Sequence, residues 1–234
     1  GRLDVLVNNA GIAAMDSIGV DKVGINALSA LEGEVVDGNT ATARAMMQYP
    51  DRIIGHCCIN PNYPETVESE TLRCFEQLGM RMLKFHSAWH KTPPEHARYR
   101  PAVEYCAARR IPLLTHLTDY IGGLPGYASL AREYPQMPFI IAHATAPNAI
   151  DAIIEVCAGV ENMFFDTTGY PKYNRSIERL VEGCGEDRVL FGSDIAWLNL
   201  AHEIGPILFA EISDTAKEKL LGRNFQAILE GITL

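Results

Sequence analysis

The chain has 234 residues, 47% of them hydrophobic, and 20 Lys and Arg against 29 Asp and Glu give a formal net charge of -9. This length suits one domain spanning residues 1–234 with a full core, and the acidic balance leaves no basic footprint for a nucleic-acid backbone. No apolar run approaches the roughly 20 residues of a membrane span, and no basic start followed by an apolar core marks a signal peptide, so no membrane partner and a cytosolic location are expected.

In chain order, residues 3–8 read as a first strand. Over residues 1–12 the chain resembles the strand and Asn-Asn-Ala-Gly turn of short-chain dehydrogenases. No glycine-rich dinucleotide turn precedes that segment, however, and no tyrosine is followed by lysine four places later. The cofactor site and catalytic pair of that family are therefore missing. Residues 13–18 allow only a brief helix before Gly19 closes it, which makes the first unit abbreviated.

A strand at 22–26 leads through a polar segment (Glu32, Glu34, Asp37, Gly38) to a helix at 40–48, stopped by Tyr49 and Pro50. A strand at 52–60, a loop at 61–65 and a helix at 66–78 follow. The strand at 81–86 ends Lys84-Phe85-His86. After it, Trp89, His90, His96 and two prolines compose a loop suited to walling a pocket.

A helix at 99–110 precedes the strand 111–116, which ends at His116. The glycine-rich segment 117–126 reads as a mobile lid, and 128–133 as a helix. The strand 138–143 ends at His143, the helix 149–158 follows, and the strand 162–166 ends at Asp166. A helix at 176–184 leads to the strand 188–194, which stops at Gly192-Ser193-Asp194. A helix near 202–210 and a final helix capped by Ser213, interrupted at 222–225 and closing over 226–230, complete the chain.

The strands are short apolar runs without alternation, each ending in a polar residue, as in parallel strands covered on both faces. Eight of them at mostly 23 to 34 residue spacing suit a (β/α)₈ TIM barrel in the α/β class, which carries its chemistry at the C-terminal strand ends. The six cysteines are scattered in apolar stretches without C-x-x-C spacing and are expected to be reduced core thiols.

Singly, His116, His143 or Asp194 is more often a satisfied structural residue than a ligand. Together, at successive strand ends, two imidazoles and a carboxylate are the donors that a divalent ion such as Zn²⁺ accepts, and a bound ion lowers the pKa of its water.

The order Lys84-Phe-His86, Leu-Leu-Thr-His116, Ile-Ala-His143 and Phe-Gly-Ser-Asp194, followed by Leu-Gly-Arg-Asn224, resembles the metal-dependent amidohydrolase superfamily. The likeness is to the amidohydrolase 2 branch of carboxy-lyases and hydrolases, over about residues 15–231. The resemblance implies His116 as a metal ligand, His143 as a ligand or catalytic acid/base, and Asp194 as ligand and base. The implied cofactor is Zn, with Mn the alternative. The first strand of that family ends in H-x-H; no H-x-H occurs in this sequence, and Leu6 and Asn8 stand there instead.

Lys84 reads as a cation for a substrate carboxylate, a metal-bridging carbamate or a plain salt bridge. His86 is a substrate contact or a loop cap, and Asp166 a structural acceptor. The expected function is metal-assisted hydrolysis of a small carbonyl- or carboxylate-containing molecule, by a chain that could be a homo-oligomer. Decarboxylation is the alternative, as is a barrel impaired by loss of its first-strand ligands.

Overall fold

The computed structural model describes residues 11–117, 123–146, 149–169, 173–195 and 197–233. Seven strands pair in chain order, every pair parallel: β1 (Val23–Ile25), β2 (Ile53–Cys58), β3 (Met82–Phe85), β4 (Leu113–His116), β5 (Phe139–Ala142), β6 (Met163–Asp166) and β7 (Val189–Leu190). Helix α1 (residues 11–18) precedes them, and helices lie between them: α2 (Leu28–Glu32), α3 (Val35–Gln48), α4 (Pro64–Leu72), α5 (Ser87–His90), α6 (Arg100–Ala108), α7 (Gly123–Glu133), α8 (Ala149–Cys157) and α9 (Ser176–Cys184). Three more close the chain: α10 (Leu200–Leu208), α11 (Asp214–Glu218) and α12 (Asn224–Glu230).

The described strands form an incomplete (β/α)₈ barrel, and the first strand expected at residues 3–8 lies outside the described residues. Each strand buries alternate side chains on its two faces. Leu83, Phe85, Leu113, Phe139, Ile141, Met163, Phe165 and Val189 form the outer layer with helix residues such as Val103, Leu130, Ile153 and Leu180. The opposite parity, Met82, Leu114, Ile140, Phe164 and Leu190, clusters with Phe225, Ile228 and Leu229 of α12. α12 thus packs on the apolar part of the inner face, and polar side chains are left to the C-terminal strand ends.

Several local expectations are corrected. The acidic segment 32–38 is largely helical, because α3 starts at Val35, five residues before the expected 40. Gly38 makes this possible by packing directly on Ala30, where a Cβ would stand 2.6 Å from the Ala30 Cβ. The expected loop after His86 begins with α5, capped by His86 itself. Residues 123–126 of the expected lid belong to α7, and Gly126 serves close packing against Pro94 and Glu95 rather than mobility; residues 118–122 lie outside the described ones.

β7 pairs over only two residues, so residues 191–194 leave the sheet before reaching Asp194. Ser213 caps α11 as expected, its Oγ accepting from the Ala216 N–H at 3.0 Å, and non-helical backbone at Gly222 interrupts the helix that follows. All six cysteines are free and buried.

Candidate active site

Strand register decides which side chains meet. β3 pairs Lys84 with Leu114 of β4, and the next inward positions bring His86 beside His116; β4 in turn pairs His116 with Ala142, next to His143. Three imidazoles consequently form a row. His116 stands 4.3 Å from His86 and 4.2 Å from His143 between ring centroids, and Trp89 stacks on the far side of His86 at 4.7 Å. Sequence reading singled out all three histidines for this mouth, and their side chains do come together.

Backbone geometry fixes each ring. His86 accepts the Trp89 N–H at Nδ1, so its other nitrogen carries the proton in the neutral ring. His116 Nδ1 donates to the Leu117 carbonyl, which leaves Nε2 with a lone pair. His143 sits in left-handed conformation at φ 65, a strain held by Asp166 Oδ1, which accepts from the His143 N–H at 3.1 Å and from the Thr168 N–H at 2.9 Å. Asp166 therefore acts as the structural acceptor expected of it. Gly192 explains the glycine of the Gly-Ser-Asp turn: a Cβ there would stand 2.0 Å from Thr168 Oγ1 and 2.7 Å from the Asp166 carboxyl carbon.

Lys84 points into this layer and is 9% exposed. Its ammonium has no hydrogen bond or ion pair among the described residues. Burial holds its pKa below the usual lysine value, with Cys58, Asp166 and Asp194 pulling the other way. Burial likewise lowers His86 to about 3, with His116 and Lys84 adding to it, and lowers His116 to about 4, with His143 and Lys84 adding. Both rings are neutral at pH 7.

Asp194 is placed differently. Its left-handed backbone, φ 48, forms a turn in which its carbonyl accepts from Trp197 and Leu198, and the residue is exposed. It follows Leu190 by four residues, whereas Leu190 pairs with Asp166. Asp166, not Asp194, is thus the carboxylate level with the histidines. A divalent ion needs three or four converging donors. Among the described residues no three His, Cys, Asp or Glu side chains are arranged to hold one. His116, His143 and Asp194 are not gathered into such a group among the described residues.

His56 escaped the sequence reading. It lies on β2 with the parity of Cys58, which pairs with Lys84, so its ring enters the barrel. The signal was available: a histidine in an otherwise apolar strand on the face that Lys84 shares. The imidazole is fully buried, and burial followed by the Lys84 charge lowers its pKa to about 3.

A family model described as amidohydrolase matches residues 10–229. The chain belongs to the amidohydrolase family. Among solved structures, the amidohydrolase chain is similar to 2,6-dihydroxybenzoate decarboxylase from Rhizobium, at 16% identity and TM-score 0.72 over 94% of this chain and 87% of that one. It is similar to an uncharacterized TIM-barrel protein from Bordetella bronchiseptica, at 18% identity and TM-score 0.79 over 94% and 81%. A third is a dihydroxybenzoic acid decarboxylase from Polaromonas with bound manganese and the inhibitor 2-nitroresorcinol, at 16% identity and TM-score 0.70 over 94% and 85%. At these identities the likeness is one of fold. No curated protein matches the chain significantly. Among the described residues of this amidohydrolase no helix is long and apolar enough to cross a membrane.

Proposed function

We propose that this amidohydrolase family member is a carboxy-lyase: it removes CO₂ from a small, preferably aromatic, carboxylic acid. The observation that carries the reading is the largely buried Lys84 side chain, without an ion pair among the described residues, beside a row of imidazoles. A largely buried cation without a hydrogen bond or ion pair among the described residues favours an anionic ligand. Planar rings of His86, His116 and Trp89 at the same mouth suit a flat substrate. The similarity to decarboxylases of dihydroxybenzoate supports the same substrate class.

In this reading Lys84 holds the acidic head of the substrate, and the His86 N–H orients it. The apolar layer of Leu114, Ile140 and Phe164 beneath strips water from the carboxylate. The bond from carbon to carboxylate breaks with its electron pair left on carbon, a proton carried by His143 forms the new C–H bond, and CO₂ leaves. His116, whose ring centroid stands 4.2 Å from that of His143, packs against that ring.

Hydrolysis has weaker support. It needs a base on water, yet the Asp166 oxygen facing His143 is taken by two backbone N–H groups and Asp194 is exposed. The barrel impaired by loss of its metal ligands remains a second reading, favoured by the missing three-donor group among the described residues. Measuring CO₂ release from 2,6-dihydroxybenzoate, with and without added Mn²⁺ or Zn²⁺ and beside a panel of lactones and esters, separates the three. CO₂ release with no ester turnover is the expected result. Ester turnover without CO₂ contradicts it, and inertness toward the acids and the esters supports the impaired barrel.

A further inference from the structure

His56 is 4% exposed, and neither ring nitrogen has a hydrogen-bond partner among the described residues. An imidazole always carries at least one N–H, so a fully buried ring with both nitrogens unsatisfied leaves a donor and an acceptor desolvated. The ring leans over β1, where a Cβ on Gly24 would stand 2.4 Å from Nε2. That glycine exists to admit the imidazole.

Lys84 is the diagonal neighbour on the same inner face, since β2 and β3 pair His56 with Met82 and Cys58 with Lys84. Two buried polar side chains that lack a hydrogen-bond partner among the described residues, one cationic and one holding an N–H, thus occupy diagonal positions on the face that also carries Met82, Leu114, Ile140 and Phe164. Burial, and after it the Lys84 charge, keeps the imidazole neutral, so it offers a hydrogen bond rather than a second cation.

We propose that His56 and Lys84 form one interior oxyanion site, in which Lys84 supplies the charge and the His56 N–H the second hydrogen bond to a carboxylate. This rests on the reading of Lys84 as the anchor of the substrate acid and adds the residue that sets how deep and in which orientation the acid sits. His56 is a binding and positioning residue; the carbon that loses CO₂ lies with the histidine row.

The test measures the dissociation constants of 2,6-dihydroxybenzoate and of formate, each alone and in competition, for the full chain and its His56→Leu, His56→Gln and Lys84→Met variants. His56→Leu should weaken the acid about tenfold, the value of one hydrogen bond made in a buried site. His56→Gln, which restores an N–H, should recover most of that loss. Without ligand, His56→Leu should raise the melting temperature, because it removes two unsatisfied nitrogens.

Formate displacing the aromatic acid assigns the site to the carboxylate group itself; formate binding without displacement overturns the assignment to the substrate. Unchanged acid affinity in His56→Leu, or a loss that Gln does not reverse, overturns the role of His56. Unchanged affinity in Lys84→Met overturns the substrate reading instead, so the two failures are distinguishable.

Discussion

His56 and His90 show how burial writes a pH dependence into single residues. Burial dominates both, lowering His56 to about 3 and His90 to about 4 against an ordinary 6.5. Unfolding restores the ordinary value, so the unfolded chain takes up protons that the folded chain refuses once the pH drops below about 6.5. Stability is full above that value, falls as pH falls toward about 4, and flattens below about 3. Urea midpoints taken at several pH values across that window should decline steadily, with a shallower slope in His56→Leu; a midpoint independent of pH contradicts the burial of these rings.

Gly192 gives a second test at this scale. A methyl group there meets Thr168 Oγ1 and Asp166, so Gly192→Ala should cost about 1–3 kcal/mol by overpacking. It should also disturb the Asp166 contact that holds His143, lowering turnover more than binding. A stable, fully active Gly192→Ala protein runs against this account.

Elements were legible where the apolar period was unambiguous. The strands ending at His86, His116 and Asp166 and the helix α9 follow from runs bounded by glycine, proline and polar residues. α3 was read five residues short because Gly38 and Asp37 carry weak helix propensity, and packing of Gly38 on Ala30 overrides it. Glycines 123 and 126 suggested a lid for the same reason, although one of them only makes room for Pro94 and Glu95.

α12 is the element whose partner no local pattern revealed. Ile228 joins Met82, Ile140 and Leu190 in the inner cluster. Ile228→Ala should therefore destabilise the chain by about 2–5 kcal/mol, the range for a buried aliphatic truncation. Chemical denaturation measures this directly; a loss under about 0.5 kcal/mol would show that α12 does not pack inside the strands.

At the scale of the molecule, the barrel and its histidine row could be read from the spacing of strand ends, because parallel strands deliver residues of one parity to one mouth. The position of Asp194 could not, since a two-residue β7 depends on the close approach of Gly192 to Thr168 and Asp166, contacts remote in sequence. Nor could the lack of hydrogen-bond partners for Lys84 and His56 among the described residues, which only tertiary packing decides. The outcome is a family member whose described residues offer a buried cation and imidazoles where three metal donors were anticipated.

That claim is tested most directly by titration calorimetry of 2,6-dihydroxybenzoate into the wild-type and Lys84→Met proteins, each with and without EDTA. The account predicts binding that survives the chelator and weakens at least about thirtyfold in Lys84→Met, the consequence of removing a buried charged partner. Binding abolished by EDTA and indifferent to Lys84→Met would contradict it.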